Sequence, residues 1–292
     1  MDIKKAVLFV NIQKNKALAA AEKIQRELIA KNIETTVFSF QGKPEKPPEG
    51  KWDIAFSLGG DGTVLYTARC LADSQTPILP VNLGTLGFIA GVVFDEWLDI
   101  FERWKNGKLN ISRRCMLKVS VERSGETIIN GTCLNDAVIS ATGIAKLIKL
   151  NVQSIAAGGE QTELGFYRCD GLIVATPTGS TAYSMAAGGP ILDPEMEAVI
   201  LNPICPFTLS NRPLVLPSQL TLAVTVAREQ RSGVLLTIDG QDIFSLECGD
   251  RILIQQAPWE ALLIFADRHA YYSALLSKLS WAGGAGGGAG DA

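Results

Sequence analysis

Five consecutive residues, Gly59-Gly60-Asp61-Gly62-Thr63, have the composition of an anion cradle with a proton acceptor inside it. Glycine permits positive φ and a close backbone approach to phosphate. Successive amides and a helix start then offer N–H donors to the anion. A carboxylate in the middle would repel phosphate if binding were its only task. It makes sense as the acceptor of a proton from an attacking hydroxyl while the amides hold the phosphates. Gly59, Gly60, Gly62 and Thr63 are therefore candidate phosphate contacts, and Asp61 is the candidate catalytic residue. The same residues also spell an ordinary Gly/Asp turn. The chain has no G-x-x-x-x-G-K-[ST] loop, and no G-x-G-x-x-G follows its first strand-like run, which argues against a P-loop and an ordinary Rossmann site.

Further segments carry polar groups at strand ends. Val81-Asn82-Leu83-Gly84-Thr85-Leu86-Gly87-Phe88 is a second glycine cluster behind a strand. Phe88 suits either stacking on a base or entry into the core. Leu134-Asn135-Asp136-Ala137-Val138 sets an amide beside a carboxylate, a pair able to bond a nucleoside and equally able to form a turn. Asp170 to Ser184 reads as a buried strand ending in a Pro/Gly turn crowded with hydroxyls. Those hydroxyls suit ribose or phosphate oxygens, or else cap a turn that leads to a helix. Asp239-Gly240-Gln241 is a strong turn signal and a weak site signal.

Composition removes whole classes of chemistry. His269 is the only histidine, so a two-histidine zinc site and any His-rich metal cluster are excluded. A Ser/His/Asp hydrolase would have to use His269. No metal site is expected in the protein itself. The net charge of −3, from 27 basic and 30 acidic residues, supplies no global field for nucleic acid, and no nucleic-acid partner is expected. Apolar runs are too short for a membrane helix, which needs about 18 residues. The first ten residues lack the features of a secretory signal. Six scattered cysteines without a C-x-x-C read as buried thiols, and a cytoplasmic location is expected.

The elements that must position these residues follow from periodicity. Ala6–Val10, Thr35–Phe40, Ile54–Leu58 and Ile78–Val81 read as strands. Helical spacing recurs over residues 14–31, after Gly62, and over Asp95–Lys105, which Gly107 ends. Alternating β and α predicts a domain with a parallel sheet over residues 1–112. A β-rich domain over 113–265 is expected next, beginning with a hairpin around Arg123-Ser124-Gly125-Glu126. Its further strands are read at Ala145–Val152, Gly171–Ala175, Leu220–Val226, Val234–Ile238 and Arg251–Gln255, with a late one at Leu262–Phe265. A C-terminal helix over 266–281 and a flexible Gly/Ala tail over 282–292 complete the expectation.

Taken in order, the five segments resemble the NAD kinase family over residues 5 to 275. Asp170 to Ile191, DGLIVATPTGSTAYSMAAGGPI, is the most specific stretch. The first motif alone is shared with diacylglycerol, sphingosine and phosphofructo-kinases. The resemblance implies a two-domain NAD kinase-like fold and an enzyme that moves the γ-phosphate of ATP to the 2′-hydroxyl of the adenosine ribose of NAD. The substrates would be NAD and ATP, and the assembly a homodimer or homotetramer. The cofactor would be a divalent cation, Mg²⁺, bound mainly through ATP phosphates. By matching position, Asp61 looks like the proton acceptor. Gly62, Phe88, Asn135, Asp136 and Asp170 look like NAD contacts, as do Thr178, Thr181, Ala182, Tyr183, Ser184, Met185 and Ala186. Lys146, Arg168 and Gln241 stand where the family places further dinucleotide contacts. Two departures are visible: Asp136 replaces the family's usual Glu, and Phe207 replaces a frequent His. The rival readings are a lipid or sugar kinase of the same superfamily and a non-catalytic dinucleotide sensor.

Overall fold

The computed structural model describes residues 1–14, 16–41, 47–84, 87–143, 146–208, 210–264 and 268–279. The Gly/Ala tail, residues 266–267 and 280–281 of the expected C-terminal helix, and Thr85-Leu86 lie outside the described residues. The chain divides into two compact units.

The first unit comprises Met1–Thr67, Thr76–Ser112 and the chain from Leu263. Its elements in chain order are β1 (Lys5–Asn11), α1 (Ala17–Ala30), β2 (Glu34–Phe40), β3 (Ile54–Gly59), α2 (Asp61–Cys70), β4 (Ile78–Asn82), β5 (Val92–Val93) and α3 (Trp97–Lys105). The strands run parallel in the order β2-β1-β3-β4, with β5 beside β4. Ala6 through Val10 and Ile54 through Phe56 are inaccessible to solvent. Such strands are buried on both faces, which is why they read as continuous apolar runs rather than alternating ones. Helix α1 buries Ala17, Ala20, Ala21, Ile24 and Leu28, the stripe its sequence displays. It closes at Asn32, whose φ of 60° is the left-handed stop common after helices. Phe56, Trp97, Phe101 and Trp104 form the aromatic part of this core. Truncating Phe101 or Trp104 to Ala at such sites costs roughly 3–5 kcal/mol.

The second unit comprises Ala68–Gln75 and Arg113–Leu262. Most of it is strand: β6 (Ile111–Arg123), β7 (Glu126–Cys133), β8 (Asp136–Ala141), β9 (Ile148–Ile155), β10 (Gln161–Cys169) and β11 (Gly171–Ala175). A short helix α4 (Tyr183–Ala186) precedes β12 (Ala198–Ile204), β13 (Leu214–Pro217), β14 (Thr221–Val226), β15 (Val234–Ile238), β16 (Asp242–Leu246) and β17 (Arg251–Ile264). One antiparallel sheet has the order β13-β12-β11-β8-β15-β16. The other strands follow β10-β9-β14-β17, with β6 on β17 and β7 on β6. Val119, Val152, Leu222 and Ile254 of the second set pack with Ile139, Val174, Leu201 and Leu236 of the first in one core. That is the face-to-face packing of two sheets with inward residues interleaved. The β6–β7 hairpin turns at Ser124 and Gly125, both at positive φ, as a two-residue turn requires.

The fold class is that of the sequence reading: an N-terminal α/β unit with a parallel sheet and a β-rich unit after it. Several boundaries differ. Of the strand expected over Ala145–Val152, Ala145 lies outside the described residues, and the pairing seen starts at Ile148, opposite Cys169, and continues to Ile155. Arg251–Gln255 and the late strand from Leu262 are one strand, β17, continuous through Pro258 and Glu260. Gln255, Gln256, Pro258 and Glu260, exposed or half-buried, interrupt its apolar pattern and hid the continuity. The helix expected from Asp95 begins at Trp97, after a tight 3₁₀ turn at Phe94–Glu96. The last helix, α5, spans Arg268–Leu279. The cysteines are all unpaired, but Cys205 and Cys248 are exposed and only Cys133 and Cys169 fully buried, so the reading of buried thiols holds for part of the set.

Candidate active site

In the first unit β3 hands over directly to α2, and Asp61 is the first helical residue. Its carboxylate does not hang free. Oδ2 accepts the Phe88 N–H at 2.9 Å, and Oδ1 accepts the N–H groups of Ile89 at 3.2 Å and Ala90 at 2.8 Å. Three consecutive amides of the second glycine loop thus hold one carboxylate in one orientation. Each carboxylate oxygen has two lone pairs. Oδ2, with a single amide partner among these, keeps acceptor capacity for a further hydrogen bond. Asn82 supports the loop from below: its Nδ2 donates to the Ala90 carbonyl at 3.0 Å and its Oδ1 accepts the Gly84 N–H at 2.7 Å.

The cradle around Asp61 is equally tight. A side chain on Gly59 would strike the Thr63 side chain, whereas Gly60 faces open space. Thr63 is buried and bonds to the preceding loop through its N–H to the Gly60 carbonyl at 2.9 Å. Gly62 is exposed. Phe88 is half-buried, and the Lys278 ammonium of α5 sits 4.6 Å from its ring centre. Neither simple alternative, a free stacking ring or a core ring, describes it.

In the second unit a cavity of about 320 Å³ is lined by Asn135, Asp136, Ser140, Ala182, Tyr183 and Asp239, among others. Next to Asn135 the chain is knitted by backbone-directed polar groups. Thr176 Oγ1 donates to the Leu134 carbonyl at 2.5 Å and accepts the Gly179 N–H at 3.1 Å. Gly179 lies so close to the Asn135 backbone that a side chain there would overlap it. Among the described residues, Asn135 Oδ1 and Thr178 Oγ1 are buried without a hydrogen-bond partner. Buried polar atoms are normally paired, with protein or with water.

Asp239 was read as part of a turn and proves to be a structural hub of this cavity. It sits at φ 50° in the β15–β16 turn, and its carboxylate accepts three consecutive amides. These are Leu134 at 3.0 Å, Asn135 at 2.7 Å and Asp136 at 3.2 Å. Burial pushes Asp239 up to about 6, against the opposing pull of those amides and of Arg69. Asp136 is pushed up to about 7, chiefly by burial and then by the charge of Asp239. Arg69 pairs with Asp242 and donates to Gln241 Oε1 at 3.1 Å, which anchors the same turn.

The remaining expected contacts fall into groups. Thr181 is buried and donates to the Thr178 carbonyl at 3.2 Å; Tyr183 and Ala186 are exposed, and Met185 is half-buried. Ser184 is buried, its Oγ and carbonyl both engaged by Asn202 Nδ2 at 3.2 and 2.9 Å. Asp170 occupies the β10–β11 junction, where its backbone bonds Ala141 and Ile204. Lys146 and Arg168 are not brought to the Asn135 cavity. They line a separate one of about 560 Å³ with Phe166, Lys149 and Arg231. Arg168 also covers the Phe207 ring at 4.5 Å, so the aromatic that replaces the family's His is engaged by a cation.

Nothing in the sequence marks Asn202, and Asn82 and Asp239 stand out only as members of a glycine cluster and of a turn with a weak site signal. Each acts by bonding backbone or a side chain distant in sequence, and no local spacing announces that. The one usable signal was the Asp-Gly pair of the turn, which fixes the backbone but not the target of its carboxylate.

Residues 44–109 match the ATP-NAD kinase N-terminal domain and residues 134–265 the ATP-NAD kinase C-terminal domain. The chain is 42% identical over 282 residues to an NAD kinase of Treponema denticola, covering 96% of this chain and 98% of that one. It is 41% identical over 229 residues to an NAD kinase of Geobacter sulfurreducens, covering 78% of each. Among solved structures it is similar to yeast NADH kinase complexed with NADH, with a TM-score of 0.85 at 22% identity, covering 100% of this chain and 91% of that one. An NAD kinase from Archaeoglobus fulgidus in complex with ATP gives a TM-score of 0.71 at 24% identity, covering 94% and 97%. The glycine cradle around Asp61, the hydroxyl-rich turn after β11 and near-full-length identity with named relatives lead to one conclusion: this chain belongs to the NAD kinase family.

Proposed function

We propose that the chain transfers the γ-phosphate of ATP to the 2′-hydroxyl of the adenosine ribose of NAD, giving NADP and ADP. The observation that carries this reading is the Asp61 carboxylate, held by the amides of Phe88, Ile89 and Ala90 at the mouth of the glycine cradle. A carboxylate held there by amides, with no ion-pair partner among the described residues, suits a proton acceptor. On this reading the ribose hydroxyl attacks the γ-phosphorus, the bond to the ADP oxygen breaks, and the hydroxyl proton passes to Asp61 Oδ2. A carboxylate is far less basic than a ribose alkoxide, so the proton moves late. The residue orients the hydroxyl first and takes its proton as charge develops.

The orphaned Asn135 Oδ1 and Thr178 Oγ1 support nucleotide binding in the second unit. Gly59, Gly60, Gly62 and Thr63 are proposed to hold the donor phosphates. A divalent cation, Mg²⁺, would enter on the donor's phosphates and neutralise their charge.

We further propose a homodimer or homotetramer. In such an assembly the cavity holding Lys146 and Arg168, which shares no lining residue with that holding Asn135 and Asp136, would serve a dinucleotide bound to a second copy. A cytoplasmic location is supported by the unpaired cysteines, which suit a reducing compartment. No helix among the described residues is long and apolar enough to cross a membrane.

The direct test is NADP formation by the purified protein from NAD and ATP with Mg²⁺. Diacylglycerol, fructose 6-phosphate and NADH are offered in parallel. Phosphorylation of a lipid or sugar in preference to NAD would overturn the reading, as would NADP binding with no ATP consumed.

A further inference from the structure

A groove in the first unit carries charge that no contact described above uses. It encloses about 480 Å³ and is lined by Lys16, Ala20 and Lys23, by Asn82, Leu83 and Gly84, and by Val93, Phe94 and Asp95. Lys16, Ala20 and Lys23 lie on one face at the start of α1, at the three-and-four spacing of a helix. Among the described residues neither lysine has an ion-pair partner, and the Lys23 ammonium rests 5.2 Å from the centre of the Phe94 ring. The opposite wall is apolar, made by Leu83, Val93 and Phe94. Asp95 at the rim leaves the lining charge at a net positive value.

The groove is joined to the transfer point by short bonds. The Leu83 N–H donates to the Gly59 carbonyl at 2.9 Å. Asn82 Nδ2 reaches the Ala90 carbonyl at 3.0 Å, and the Ala90 N–H reaches Asp61 Oδ1 at 2.8 Å. One residue therefore separates a lining side chain of the groove from the proton acceptor. A chain of phosphates that ends at Gly59–Thr63 has its remaining charge to place, and two ammonium groups that line one groove with Asn82, Leu83 and Gly84, the segment bonded to Gly59, are suited to it.

We propose that this groove holds the phosphoanhydride tail of the phosphoryl donor, with Lys16 and Lys23 as its cations. The proposal rests on the kinase reading above and names the part of the chain that would receive the donor beyond its transferred phosphoryl group.

The test is steady-state kinetics on the full chain with ATP and NAD varied separately. The variants are Lys16→Ala, Lys23→Ala and the double substitution, with Lys51→Ala, an exposed lysine outside the groove, as a control for charge alone. The double variant should raise KM for ATP by about tenfold, the effect of losing roughly 1.4 kcal/mol of binding, and leave KM for NAD nearly unchanged. Lys→Arg at both positions should restore most of the loss. Tripolyphosphate, which carries the charge without the nucleoside, should compete with ATP and lose potency by the same factor in the double variant. An unchanged KM for ATP, an equal rise in both KM values, or inhibition by tripolyphosphate that ignores the substitutions would overturn the proposal. Calorimetric titration of ATP reads the groove without turnover. A chain that binds ATP through these lysines yet makes no NADP defeats the kinase reading alone. One that makes NADP with an unaltered ATP KM defeats the groove alone.

Discussion

Gly87 stands directly against the Asp61 carboxylate, and a methyl group on its α-carbon would overlap Cγ and both oxygens. The residue next to it, Phe88, supplies the first of the three amides that hold those oxygens. Gly87 thus has no room for a side chain because the loop must approach the carboxylate this closely.

Gly87→Ala should therefore act on catalysis through Asp61. The methyl must push either the loop or the carboxylate aside, and a displacement of about 1 Å at a reacting group can cost 10²-fold in rate. We expect kcat to fall by roughly that factor while thermal stability drops modestly, as measured by rates and melting on the same preparation. Near wild-type kcat would show that the contact has no catalytic consequence.

Asp61→Asn keeps the size of the side chain and removes its ability to accept a proton as a base. Loss of a general base typically costs about 10²–10⁴ in rate. NAD affinity, measured calorimetrically, should persist while turnover falls in that range. Retained turnover would remove Asp61 from its assigned role.

Asp239 accepts three amides of the Leu134–Asp136 segment. Asp239→Ala leaves those N–H groups unsatisfied, and each buried unsatisfied donor costs about 1–3 kcal/mol. We expect a large loss of stability in denaturant melts. Asp239→Asn is the milder probe: its Oδ1 still accepts, but its amide meets donors. That variant should fold and raise KM for NAD more than it lowers kcat. A fall in kcat with KM unmoved would exclude Asp239 as a support of the nucleotide cavity.

Asp136 gives the molecule a pH dependence whose sign is opposite to the common carboxylate case. Its pKa is raised in the folded protein to about 7, mainly by burial, from an ordinary 3.8. Between those values the folded state holds a proton that the unfolded state has released, so stability falls as pH rises. Below the ordinary value both states are protonated and the penalty is absent; above about 7 it is fully present. Melting temperature should therefore decline from about pH 4 to pH 7 more steeply in the wild type than in Asp136→Asn. Parallel profiles would show that Asp136 carries no such penalty.

Much of the first unit was legible because its signals are local. β1 and β3 show as apolar runs since both faces are covered, and α1 shows its buried stripe at helical spacing. The second unit was less legible. β10 carries solvent-facing residues and a register shift between Glu163 and Gly165, so its apolar pattern is broken. β17 mixes buried and exposed positions over 14 residues and shows only its ends. Among the proposed site residues, the motifs pointed to Asp61 and to the Asn135–Asp136 and Thr178–Ala186 segments. They did not show that Lys146 and Arg168 line a different cavity from Asn135.

What the sequence determined by itself is the inventory of chemistry: a carboxylate among glycines, a hydroxyl-rich turn behind a strand, and a single histidine that rules out metal sites needing two or more histidines and leaves His269 as the one residue a Ser/His/Asp triad could use. These depend on residue type and spacing, which sequence displays directly. Only the tertiary structure decided how the groups are held. Asp61 is gripped by amides nearly 30 residues on, at a sequence separation of 27 to 29, and Asp239 by amides at separations of 103 to 105. A backbone amide has the same identity at every position, so no residue type marks which carboxylate it will meet. That choice is made when strands and loops distant in the chain close on one another, since each buried polar group must then find a partner.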